Sequence, residues 1–134
     1  MKRIIIGILA IISISSISCS KSGSSSSQPA QEPSIVFTID ASNASVSASN
    51  SFNVVVTLTS LMPTSSGIKI EATLTDQTTN ATISQNASII STTTKNTFTL
   101  INLPQQHWCS ATIKVSSGAT SSNTSSQSFT VVYK

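Results

Sequence analysis

The stretch Ser51-Phe-Asn-Val-Val-Val-Thr-Leu-Thr59 decides the fold. Phe52, Val54, Val56 and Leu58 fall on one side of an extended chain, and Asn53, Thr57 and Thr59 on the other. Alternation with period two is the mark of a strand with one face in a core and the other in water. Downstream, a segment carrying Pro63, Ser65, Ser66 and Gly67 breaks the pattern and reads as a loop. Ile68 to Thr75 then alternates again, with Ile68, Ile70, Ala72 and Leu74 inward and Lys69, Glu71, Thr73 and Thr75 outward. Upstream, Ile35-Val-Phe-Thr-Ile39 predicts a first strand, and the Ser/Ala/Asn-rich segment 40–50 a short edge strand around Val46.

The remainder follows the same rule. A weaker strand is expected around Ile83 or Ile89-Ile90, and a further one carries Phe98 and Leu100 and stops at Pro104. Cys109, Ala111, Ile113 and Val115 share one face of the next strand, opposite Ser110, Thr112 and Lys114. Residues 116–127 read as a long polar connection, and Ser128 to Lys134 as a closing strand with Phe129, Val131 and Tyr133 inward. No window has a helical repeat. About seven short strands in roughly one hundred residues predict an all-β antiparallel sandwich over 34–134.

Leu103-Pro104 before an aromatic-led strand, then a polar loop and a terminal Phe-x-Val-x-Tyr strand, resembles the end of a fibronectin type III or related immunoglobulin-like module. Trp108 lies four residues after Pro104, where that family places the tyrosine opening its sixth strand. The resemblance implies an immunoglobulin-like sandwich and carries no activity with it.

The N-terminus concerns destination. Lys2 and Arg3 precede an apolar run, Ile4 to Ile12, and then the small residues of 13–18, as in a secretory signal peptide over 1–18. The run is shorter than the ~20 residues a membrane span needs. Ser16-Ile17-Ser18-Cys19 ends in a cysteine, as a lipoprotein box does, which predicts acylation of Cys19. Ordinary cleavage after Ser18, giving a secreted or periplasmic soluble protein, is the competing route. The Ser/Gly/Gln/Pro stretch that follows suits a flexible tether, and with the acylated cysteine it occupies 19–33. Signal, serine-rich tether and one sandwich together are similar to small surface lipoproteins of Gram-negative bacteria. The expectation is an exported, lipid-anchored cell-envelope protein held to a membrane through Cys19.

Charge excludes one class of partner. The net +3 includes Lys2 and Arg3, which leave with the signal. Five scattered lysines then face four acids, a net of +1, and no arginine remains. No basic footprint exists for a phosphate backbone, so no nucleic-acid partner is expected.

The chemical inventory is thin. With Cys19 acylated, Cys109 has no disulfide partner, and its phase makes it a buried thiol in the core. His107, the sole histidine, stands two residues from Cys109, ~7 Å along an extended chain, too far for a thiol–imidazole pair. One His and one Cys fall short of a metal's usual four ligands, and the four carboxylates do not converge in sequence. Glu71 is expected to meet Lys114 across neighbouring strands, and His107 to sit at a loop edge. Four Asn-x-Ser/Thr matches, at Asn43, Asn80, Asn86 and Asn123, are what chance supplies in a chain this rich in those residues. Neither an enzyme nor a cofactor or metal is expected. Trp108 shares its phase with Ser110, Thr112 and Lys114, away from the core, and with His107 is the candidate contact for an unidentified protein or glycan. A non-catalytic interaction or structural module leads. Carbohydrate-binding or adhesin-type function through Trp108, and assembly through an edge strand (Ile35 to Ile39 or Phe129 to Tyr133), are the alternatives.

Overall fold

A computed structural model of the chain describes residues 31–63 and 66–134. The expected signal, Cys19 and most of the tether lie outside the described residues. Within them the protein is all-β, with nine strands: β1 (Phe37–Ile39), β2 (Ser45–Ser47), β3 (Phe52–Leu58), β4 (Ile68–Asp76), β5 (Thr82–Ile83), β6 (Ile89–Ser91), β7 (Lys95–Leu100), β8 (Trp108–Ser117) and β9 (Thr124–Tyr133). They form two sheets. The smaller runs β1-β3-β7; the larger runs β2-β9-β8-β4-β5, with β6 also paired to β4.

The alternating segments built the core as their pattern requires. Val54, Val56, Leu58, Phe98 and Leu100 of the small sheet meet Ile68, Ile70, Leu74, Ala111, Ile113, Val115, Phe129 and Val131 of the large one in a single buried cluster. Phe52 and Phe129 join the two sheets ring to ring, centroids 6.0 Å apart. Burial of each large aliphatic or aromatic side chain in such a cluster contributes about 1.5–3 kcal/mol.

Three expectations are corrected. The strands number nine rather than about seven, because both weak candidates, Ile83 and Ile89-Ile90, form strands of their own paired with β4. The sandwich is not wholly antiparallel, since β2 runs parallel to β9 with Val46 opposite Val132. Half of the expected connection 116–127 is strand: β8 continues to Ser117 and β9 begins at Thr124. Residues 124–128 lack apolar alternation, yet each pairs with β8, from Thr124 opposite Ser116 to Ser128 opposite Thr112.

The path of residues 32–47 along β9 also settles where Phe129 to Tyr133 lies. Asn123 donates to Glu32 and to the carbonyl of Pro33 and accepts from the amide of Ile35. Gln127 donates to the carbonyl of Phe37, and the hydroxyl of Thr130 accepts from the amide of Ala44. From Val131 to Tyr133 the backbone ladder to β2 takes over. The closing strand is therefore interior, with β8 on one side and the N-terminal segment along the other. Burial works to raise the Glu32 carboxyl's pKa, but hydrogen bonds from Asn123, Ser117 and Thr120 outweigh it and hold it below its ordinary value.

The open edge of β7 is covered differently. The carboxamide of Gln85 lies against Ile101 as a peptide group would, its Oε1 accepting from the Ile101 amide and its Nε2 donating to the Ile101 carbonyl, both at 2.9 Å. Asn86 donates to the carbonyl of Thr99, and Asn102 reaches back to that of Ser84. Polar side chains thus occupy backbone groups that would otherwise invite another strand.

Candidate binding face

The larger sheet has one face in the core and one in water, and β8 decides which residues reach the water. Cys109, Ala111, Ile113 and Val115 are buried, so their neighbours Trp108, Ser110, Thr112 and Lys114 stand on the outer face. Cross-strand pairing extends each of these positions into a row. Thr73, Thr112 and Ser128 form one; Thr75, Ser110 and Thr130 form the next. Thr112 and Ser128 share a hydroxyl–hydroxyl bond of 2.8 Å. The last row is apolar: Trp108, Val132 and Val46 lie side by side across β8, β9 and β2. Val132 is only 2% exposed although it is on the outer face, while its flanking partners Trp108 and Val46 are 38% and 56% exposed. The row is thus an indole and an isopropyl group over a covered valine, beside two rows of hydroxyls.

Trp108 therefore occupies the face the sequence assigns it. His107 turns the other way. Its Nδ1 is 2.8 Å from Oδ2 of Asp76, and because the carboxylate only accepts, Nδ1 carries the proton. Asp76, 5% exposed at the end of β4, also accepts from the amide of Thr78 and the hydroxyl of Thr79. The bond from His107 is the largest influence on this carboxyl. With those from Thr78 and Thr79 it holds the pKa well below the usual carboxylate range, against the opposing effect of desolvation. Asn80, in the left-handed region at φ 57°, donates its amide to the Asp76 carbonyl and closes the β4–β5 turn. Asp76 and His107 thus clasp that turn to the segment entering β8, and the Gln77 amide adds a bond to the carbonyl of Trp108.

Cys109 is a free, fully buried thiol. Its Sγ lies 4.0 Å from the backbone carbonyl of His107, and the imidazole is engaged with Asp76. Burial pushes the thiol's pKa up, and the nearby Asp76 charge pushes the same way. Cys, His and Asp come together here, but the carboxylate opposes the thiolate instead of promoting it.

The expected Glu71–Lys114 ion pair is corrected. The two residues are opposite each other in the ladder, yet the carboxylate of Glu71 takes Lys69, two residues along its own strand, at 2.6 Å. Among the described residues, no three His, Cys, Asp or Glu side chains converge as metal ligands would, and no helix is long and apolar enough to cross a membrane. Cys19 lies outside the described residues.

Comparison of the chain with protein-family models, curated proteins and solved structures finds no match.

Proposed function

We propose that the protein is a non-catalytic interaction module with an immunoglobulin-like sandwich, exported and lipid-anchored at Cys19, whose contact surface is the Trp108 end of the larger sheet. The observation that carries the reading is the outer row of Trp108, Val132 and Val46, where a half-exposed indole lies level with an exposed valine on a regular sheet. Rigid aromatic side chains in such positions contribute most of the energy at contact surfaces. The immunoglobulin-like assignment is supported by the strand order and by the N-terminal segment, which pairs with β3 in one sheet and parallel to β9 in the other. The absence of catalysis is argued from the Asp76–His107–Cys109 group, whose members are bound to one another or to backbone and whose thiol is held protonated.

The tether suits this reading. The chain joins the domain at Glu32, beside Ser117 and Asn123, at the far end of β8 from Trp108. Ten strand residues separate the two ends by ~30 Å.

The hydroxyl rows next to the indole favour a saccharide as ligand, since an indole stacks on a sugar ring while Ser110, Thr75 and Thr130 bond its hydroxyls. A glycan array probed with the protein and with Trp108→Ala tests this. Binding that disappears in the variant supports a glycan ligand. Silence across glycans removes the saccharide reading and leaves a protein partner, sought by crosslinking at Trp108 in intact envelopes.

A further inference from the structure

At the other end of the same outer face, a cavity of about 550 Å³ opens between the sheet and the β8–β9 loop. Its floor crosses three strands, because Lys69 pairs with Ile90 of β6 on one side and Ser116 of β8 on the other. Its wall is the turn at Gly118, drawn against Gly67 by a bond from the Gly118 amide to the Gly67 carbonyl at 2.8 Å. Both glycines are required there. A Cβ on Gly118 would strike the carbonyl of Ser66, and one on Gly67 that of Ser91, with Gly67 also at a φ of 72°. The cavity is thus shaped by backbone that tolerates no side chain at two positions.

Its chemistry is mixed in a specific way. Glu71 Oε1 is taken by Lys69, which leaves Oε2 to accept from a ligand. Lys114 faces the same space, and among the described residues no carboxylate lies within ion-pair distance of it. Ser116 and Ser121 add polar groups, and Ile90, 73% exposed, offers an apolar surface on the floor. A bare phosphate would satisfy Lys114 and could donate a P–O–H to Glu71, but it brings no apolar surface for Ile90. A neutral sugar would satisfy Glu71 but leave the ammonium of Lys114 unmatched. A sugar carrying a carboxylate meets both, with its apolar ring face toward Ile90.

We propose that this cavity is a binding site for an acidic saccharide, with Lys114 receiving the carboxylate, Glu71 the ring hydroxyls and Ile90 the ring face. The site is separate from Trp108, ~20 Å away along β8.

The test uses the full chain in a detergent without a sugar headgroup. It is titrated with oligogalacturonate and sialyllactose, and in parallel with neutral galacto-oligosaccharide and lactose, inorganic phosphate, and phosphatidylglycerol vesicles. Binding is followed by calorimetry. At least one acidic saccharide is expected to bind about tenfold or more tighter than its neutral counterpart, with Lys114→Gln removing that preference and Lys114→Arg keeping most of it. Trp108→Ala is expected to leave this binding unchanged, which separates the cavity from the Trp108 face. Equal binding of neutral and acidic sugars, binding of phosphate or vesicles in place of saccharide, indifference to Lys114→Gln, or no saccharide binding would each overturn the proposal.

Discussion

Replacing Gln85 with alanine strips the cover from β7. The wild-type carboxamide makes two 2.9 Å bonds to the backbone of Ile101, one through each polar atom. A neutral hydrogen bond contributes about 0.5–1.5 kcal/mol net, so two give roughly 1–3 kcal/mol. Gln85 is only half-buried, so water takes over part of what alanine gives up. The side-chain entropy released on truncation subtracts further. A loss of about 1–2 kcal/mol remains, which for a domain of this size lowers the melting temperature by roughly 4–15 °C. Gln85→Glu sharpens the test. It keeps an acceptor for the Ile101 amide but turns a second carboxylate oxygen toward the Ile101 carbonyl, so it should cost at least as much as alanine. Thermal unfolding followed by circular dichroism gives the stability, and hydrogen exchange at the Ile101 amide reports the local opening. Because the freed edge can pair with another chain, the alanine variant should also associate at high concentration in sedimentation. A melting temperature within about 1 °C of wild type, with unchanged exchange at Ile101, would refute the argument that the carboxamide stands in for a strand.

Other consequences follow from the core and from the clasp. Ile113→Ala, at a fully buried position of β8, should cost about 2–5 kcal/mol in urea unfolding. Asp76 titrates below its unfolded value, so its stabilisation is fully present above the unfolded pKa of ~3.9 and is lost as pH falls through the folded one; Asp76→Asn should therefore flatten the stability–pH curve below about pH 4 and lower stability at neutral pH. Cys109 should stay unreactive toward a thiol reagent at neutral pH until the domain unfolds, and Cys109→Ser should destabilise by about 1–3 kcal/mol because the hydroxyl is buried against core side chains.

The elements that alternate were legible before the structure. Phe52 to Leu58, Ile68 to Leu74 and Cys109 to Val115 each bury one face, and only a strand period does that with these residues. Thr124 to Ser128 was not legible, because serines, a threonine and a glutamine stand on both faces; its extended form comes from the ladder to β8. The parallel pairing of β2 with β9 is set by tertiary contacts and leaves no local trace. The site was legible in part. The phase of Trp108 gave its face correctly. The clasp of Asp76 with His107 was missed, although its signal was present: pairing Glu71 with Lys114 and counting five residues further sets Asp76 opposite Cys109, next to His107. Gln85 gave no signal, since its bonds reach backbone sixteen residues away without any periodic pattern.

The anchored-module account rests most directly on Cys19, and the intact mass of the protein recovered from the membrane fraction of its native cells tests it. The account predicts the mass of residues 19–134 increased by a diacylglycerol group and an acyl chain. An unmodified mass for the same residues, found in the soluble fraction, would contradict it.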